Sequence, residues 1–453
     1  MPARPNVLFI AIDDLRNDLG ALGVAHARTP HLDRLAQSSR LFSHHYVQVP
    51  TCGASRAALL RGRYPEKQAQ VGNNAIRDTH NDWGNRSLPA WWRQHGYQTF
   101  SLGKISHYPG GLTGEGWSAG PEELPGAWDK VWIPHAPWKT SEAMMHGYAH
   151  GKPRERGVTP AWEAAEASDY AYPDVWVADE AVTHLSQLAE SGEPWFFAVG
   201  FFKPHLPFAA PRRWLELHDA AALPVPPVAS DARSRPGWHD SGELINGYNI
   251  GGKNPIDDDE TADQLRRAYA GSISYVDAQV GRVIAQLEKL DLADNTIVVV
   301  WSDHGFMLGE QAVWAKHTLY EEALKSPLMI RVPGMAQAGA ISTTVVETVD
   351  IYPTLLELCQ LPTPGPLDGR SLTPMLDNPT AQSVKPAMGY WKDSRGVRDD
   401  RWRLTVYPQT KQRAAVDTLV DLVTDPFGLR DVAAEHPEVV ARLKAELRPE
   451  FTK

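Results

Sequence analysis

The chain has 453 residues, a formal net charge of −10, 42% hydrophobic residues and 22% charged residues. That length predicts more than one typical domain with a sizeable buried core, and the acidic balance argues against nucleic acid as a partner, because phosphate contacts need clustered positive charge. Two cysteines, Cys52 and Cys359, are too few for a disulfide framework, and no apolar stretch is long enough to span a membrane.

The opening Met1-Pro2-Ala3-Arg4-Pro5 does not begin a signal peptide, since the hydrophobic run behind it is short and meets acidic residues. As it stands the chain is expected to be cytoplasmic, with export open only if a leader has been removed. Asn6 to Ile12 is a continuous apolar run closed by Asp13-Asp14, the pattern of a buried parallel strand that delivers two carboxylates at its carboxyl end. Thr29-Pro30 predicts a helix cap and first turn, with Leu32, Leu35 and Ala36 at helical spacing behind it. Trp195 to Phe201 and Thr296 to Trp301 are further strands, and Ala262 to Leu290 carries one apolar stripe of a long helix. The acidic run Asp257 to Glu260 is a solvated helix start.

Strands alternating with helices predict a parallel-type α/β sheet covered on both faces, whose ligands gather at the carboxyl ends of the strands. The Pro- and Gly-rich stretch from Leu361 to Pro386 is the expected boundary, dividing residues 1–375 from a small α+β subdomain at 376–453. In the latter, Tyr390-Trp391, Arg401 to Tyr407 and Ala415 to Leu422 predict short strands, and Pro437 to Leu447 a terminal helix. Trp117 to Trp162 and Pro224 to Pro255 are long excursions of the kind that form binding rims. Cys359 falls in an apolar run and is expected in the core.

The segment Thr51-Cys52-Gly53-Ala54-Ser55-Arg56-Ala57-Ala58-Leu59-Leu60-Arg61-Gly62-Arg63 carries the strongest functional signal. A lone Cys before an apolar helical turn is most simply a small buried hydrophobe; Arg56, Arg61 and Arg63 favour an anion site with an activated thiol instead. Asp13-Asp14 and Ser302-Asp303-His304, each after an apolar strand, collect hard oxygen ligands suited to Ca²⁺ or Mg²⁺. Any anion-binding charge must be local, because the chain as a whole is acidic.

Cys52-x-Ala54-x-Arg56 with its trailing Leu-x-Gly-Arg resembles the signature of the type I sulfatases, whose cysteine is oxidised to formylglycine. Gly103-Lys104-Ile105-Ser106-His107, Lys203-Pro204-His205-Leu206-Pro207-Phe208 and Trp314-Ala315-Lys316 follow in the order found in the iduronate 2-sulfatase branch of that family. The similarity runs from Asn6 to about Gly334. It implies the alkaline phosphatase-like fold, a large mixed, mostly parallel sheet flanked by helices.

The same resemblance implies an aldehyde hydrate on residue 52 that attacks sulfur, with Ca²⁺ (Mg²⁺ or Mn²⁺ as alternatives) on Asp13, Asp14, Asp303, His304 and the modified Cys52. Lys104, Lys316 and Arg56 would neutralise charge, His107 would take the second hydroxyl proton, and His205 beside Lys316 would protonate the leaving alcohol. A formylglycine-generating maturation enzyme becomes an expected partner. Two positions depart from the pattern: Ala54 stands where Pro is commonest, and His317 stands where the branch has an aromatic hydroxyl.

The implied substrate is a sulfated small molecule or oligosaccharide, with a uronate 2-O-sulfate foremost. Sixteen tryptophans, including Trp83, Trp117, Trp128, Trp132, Trp138 and Trp162, offer either sugar-stacking faces or loop anchors. The negative net charge favours a short saccharide entering end-on over a long polyanion. The competing readings are a formylglycine-dependent phosphonate monoester or phosphodiester hydrolase, and a catalytically inactive carbohydrate-binding relative.

Overall fold

The Asn6–Ile12 strand lies in an eight-stranded sheet, between the parallel strands Trp195–Phe201 and Thr296–Ser302. Beyond Trp195–Phe201 come Gln98–Gly103 and Lys130–Trp132, again parallel. On the other side Leu328–Arg331 runs antiparallel to both Thr296–Ser302 and Arg40–Phe42, which makes the sheet mixed but mostly parallel. This is the architecture expected from the sequence. The structure is a computed structural model and describes residues 4–111, 120–134, 136–383, 385–411, 413–448 and 451.

The unbroken apolar runs have their physical reason in burial on both faces. From the first strand, Leu8, Ile10 and Ile12 face the layer containing the helices Pro173–Ser191 and Asp259–Lys289. Val7, Phe9 and Ala11 face the opposite layer, with Trp92, Ile351 and Leu355. Cys359 is buried in that second layer, as expected. Among the described residues no helix is long and apolar enough to cross a membrane.

Four antiparallel strands, Ala387–Trp391, Ser394–Arg398, Trp402–Tyr407 and Val416–Asp421, form a second sheet, with the helix Pro437–Glu446 behind it. Ser394–Arg398 is not among the strands expected from the sequence, because its Ser-Arg-Gly start lacks an apolar alternation. This sheet is tied to the larger unit through Glu321, which accepts from the Tyr46 hydroxyl at 2.6 Å and pairs with Arg398 and Arg403 at 3.6 and 3.4 Å.

One local expectation needs correction. The helix Pro30–Ala36 does begin at the proline, but Thr29 does not cap it. Asp277, from the long helix, accepts from the His31 and Leu32 amides at 3.1 and 2.7 Å, because a carboxylate that can receive two orphan N–H groups outcompetes one hydroxyl. Of the two readings open for the rim tryptophans, anchoring holds for three of those named. Trp83, Trp132 and Trp138 are buried, with Trp132 stacked between His184 and Phe100, and their faces are spent on packing. Trp117 lies outside the described residues.

Candidate active site

Four neighbouring parallel strands end at one edge, and each releases polar residues there. Asn6–Ile12 is followed by Asp13-Asp14, Gln98–Gly103 by Lys104, Trp195–Phe201 by Lys203 and His205, and Thr296–Ser302 by Asp303-His304. Opposite them the helix Cys52–Arg61 starts at Cys52 itself. A helix N-terminus presents unpaired N–H groups and positive dipole, so residue 52 sits where an anion is favoured. Asn73 fixes this start, its Oδ1 accepting from the Thr51 hydroxyl at 2.9 Å and the Gly53 amide at 3.2 Å. Gly53 is required there, because a Cβ would meet the Asn73 carbonyl oxygen at 1.9 Å.

Helical periodicity decides which arginine serves the site. Arg56, one turn beyond Cys52, points the same way; Arg61, nine residues on, is turned about 180° from it. Arg56 is fully buried, donating from Nε to Asp303 and from Nη2 to Asp13, each at 3.0 Å. Arg61 and Arg63 instead pair with Glu66 at 2.8 and 2.6 Å. The expected activation of the thiol by three arginines therefore fails, and burial pushes the Cys52 thiol well above its ordinary range despite Lys104 and Lys316 nearby.

The acid cluster is fully buried. Lys104 Nζ reaches Asp13 at 2.5 Å, and Lys316 Nζ bonds both oxygens of Asp14, at 2.8 and 2.9 Å, and stands 3.5 Å from Cys52 Sγ. Burial would raise Asp13, but Lys104, His205 and Arg56 outweigh it and hold its carboxyl well below the usual range. At Asp14 burial wins over Lys316 and His304, and its carboxyl is pushed up to about 6.

Ligand atoms of Asp14, Cys52, Asp303 and His304 all lie within 4.8 Å of one another. Carboxylates crowded this closely, one of them already raised by burial, are what a bound divalent cation relieves. The oxygen-rich donor set fits such an ion. Burial also holds His107 and His205 well below the ordinary histidine range. Their Nδ1 atoms are buried with no hydrogen-bond partner among the described residues, leaving capacity for a guest.

Cys52, His107, His205 and Lys316 line a cavity of about 660 Å³. Arg56 and Asp13 lie behind it. Lys203 does not reach in: its Nζ donates to the carbonyls of His146, His205 and Pro207 at 2.9, 3.2 and 2.8 Å, which clamps the loop carrying His205. The two long excursions do build the rim, though through residues the sequence did not single out. Thr140, His146 and Arg154 come from one, and Glu243 and Tyr248 from the other. Glu243 sits 3.4 Å from Lys316 and 3.6 Å from His317, and the His317 ring stacks on Trp391. None of these loop residues lies in a periodic or motif-like context, so only their membership of long Pro- and Trp-rich segments signalled them.

A mostly parallel α/β sheet with an acid cluster at its carboxyl edge, plus a small antiparallel sheet, has the alkaline phosphatase-like architecture. The sulfatase family model matches residues 5–361, and one described as N-sulphoglucosamine sulphohydrolase, C-terminal, matches residues 309–453. The chain belongs to the sulfatase family. A sulfatase of Formosa agariphila is 31% identical, covering 89% of this chain and 79% of its own length. The iduronate 2-sulfatase of Mus musculus is 32% identical, covering 79% of this chain and 69% of its own. The solved phosphonate monoester hydrolase from Silicibacter pomeroyi superposes with a TM-score of 0.78 at 25% identity, covering 98% of this chain and 94% of that one.

Proposed function

We propose that this sulfatase hydrolyses an O-sulfate ester on a short saccharide, with a uronate 2-O-sulfate as the leading substrate. The observation that carries the reading is the position of Cys52, at a helix N-terminus, facing the cavity, and 3.5 Å from Lys316 Nζ. Similarity to iduronate 2-sulfatase supports the choice of sugar.

Oxidised to formylglycine by a maturation enzyme and hydrated, residue 52 would supply the attacking hydroxyl, and a divalent cation on Asp13, Asp14, Asp303 and His304 would supply positive charge to the sulfate oxygens. Lys104 and Lys316 add fixed positive charge where negative charge builds on the ester. Arg56 positions Asp13 and Asp303 and does not meet the substrate. His205 presents an imidazole to the departing oxygen, and His107 offers a base near residue 52. Both rings are neutral in the resting site, and the negative charge of an entering sulfate ester favours protonation of the nearer one.

Free sulfate released from a panel of defined sulfated saccharides, together with the mass of the Cys52 peptide, tests the reading. Sulfate release by protein in which residue 52 has lost the thiol mass is expected. Full activity with only unmodified Cys52 would overturn the formylglycine chemistry. The similarity to a phosphonate monoester hydrolase favours a second reading, in which phosphonate or phosphodiester esters are turned over faster than sulfate esters. Comparative kcat/KM on the three ester classes separates them.

A further inference from the structure

Two cations line the 660 Å³ cavity among the described residues, Lys316 and Arg154. Lys316 is neutralised by Asp14. Arg154 has no carboxylate within ion-pair distance among the described residues, and its half-buried guanidinium is held only by neutral groups. Nη1 donates to His146 Nε2 at 3.1 Å, Nη2 donates to the Gly247 carbonyl at 3.0 Å, and Cζ lies 4.6 Å from the centre of the Tyr248 ring. Its Nε is buried with no hydrogen-bond partner among the described residues.

A guanidinium carries five N–H donors, so this one keeps unfilled capacity facing a site whose substrate is an anion. The holding groups fix its direction. His146 turns Nδ1 to the Tyr248 hydroxyl at 3.1 Å and leaves Nε2 to receive Arg154. Burial and Arg154 keep that ring neutral, with its pKa lowered to about 3. Two acids also line the cavity: Glu142 lies 3.9 Å from His146 with its side chain 70% exposed, and Glu243 is engaged by Lys316 at 3.4 Å and His317 at 3.6 Å.

Arg154 also shares its cavity with the reacting residue. His205 has a ring nitrogen within 4.8 Å of Cys52 Sγ, and its ring centre is 5.8 Å from that of His146, which in turn contacts Arg154. Cys52, His205, His146 and Arg154 thus follow one another along the wall of a single cavity, with two imidazoles between the reacting residue and the guanidinium.

We propose that Arg154 is a specificity-determining residue that binds a second anionic group, carboxylate or sulfate, on the same saccharide whose sulfate ester faces Cys52. The proposal rests on the sulfatase reading above and deepens it: the preferred substrate is a doubly anionic sugar, such as a sulfated uronate or a sugar disulfate. With no carboxylate paired to it among the described residues, the planar guanidinium offers its remaining N–H donors to either anion in a fixed geometry that a lysine cannot reproduce.

The test measures kcat and KM, by sulfate release, for wild type, Arg154→Met and Arg154→Lys. The substrates are a 2-O-sulfated uronate disaccharide, its carboxyl methyl ester, a glucosamine disulfate and the corresponding monosulfate. Wild type is expected to prefer the doubly charged member of at least one pair by about ten- to a hundredfold in kcat/KM. Arg154→Met should erase that preference, mainly through KM, and Arg154→Lys should restore part of it. Selectivity in the first pair assigns the carboxylate and in the second the sulfate. A wild-type enzyme that treats both members of each pair alike overturns the proposal without any variant having to fold. Equal losses on charged and uncharged partners in Arg154→Met overturn it too. No sulfate from any of these substrates removes the saccharide O-sulfate reading, and this proposal with it.

Discussion

Arg56 Nε donates to Asp303 Oδ2 at 3.0 Å, joining residues 247 positions apart in the chain. Its Nη2 makes the matching bond to Asp13, so one planar side chain sets the spacing between acids from two strands. Arg56→Lys should lose this double hold, since an ammonium cannot reproduce a fork of fixed geometry. Sulfate release should fall by about a hundredfold or more, and stability by about 3–5 kcal/mol, because a buried carboxylate loses its partner. Denaturant unfolding and turnover measured on the same preparation check this; retained turnover would show that acid spacing is not critical.

Metal removal tests the acid cluster. Dialysis against chelator should abolish turnover, and Ca²⁺ should restore it better than Zn²⁺, because Asp13, Asp14 and Asp303 offer hard oxygens and no thiolate is required. The melting temperature should also rise with Ca²⁺ concentration, as binding to the folded state alone demands. Full activity in demonstrably metal-free protein would rule the site out.

His205 is held by a loop that Lys203 clamps through three carbonyls, a costly use of a buried lysine unless the ring's position matters. If His205 protonates the departing oxygen, His205→Ala should slow hydrolysis of a sugar sulfate by about 10²-fold or more. An activated aryl sulfate, whose phenolate leaves unaided, should suffer far less. Equal losses on both esters would remove His205 from the acid role.

Glu321 provides a pH test away from the cluster. Burial opposes its ionisation, but Arg398, Lys325 and Arg403 prevail and lower its pKa to about 2. A carboxyl depressed in the folded state contributes stability above its unfolded pKa of about 4.3, lost as pH falls toward about 2. The contribution is on the order of 3 kcal/mol. Glu321→Gln should be less stable at neutral pH, and its stability curve should converge with that of wild type as pH falls from about 4.5 to about 2. Parallel curves across that range would show that the charge is not what ties the small sheet to the large one.

Much of this molecule is legible in its sequence, for reasons visible at particular residues. Asn6 to Ile12 and Thr296 to Ser302 are apolar without alternation because both faces are buried, and their acidic closures mark the edge where polar groups collect. The family motifs likewise located the residues that converge on one cavity, since strand ends and a helix start hold them in order. Other matters were decided by tertiary structure alone. Asp277 rather than Thr29 caps a helix, Arg61 and Arg63 turn away from Cys52, and the tryptophans pack inward. Arg154, His146 and Glu243 enter the cavity from excursions with no periodicity to announce them. Local propensity and spacing constrain neighbours along the chain, whereas these choices depend on which distant group arrives first to satisfy a buried donor or charge.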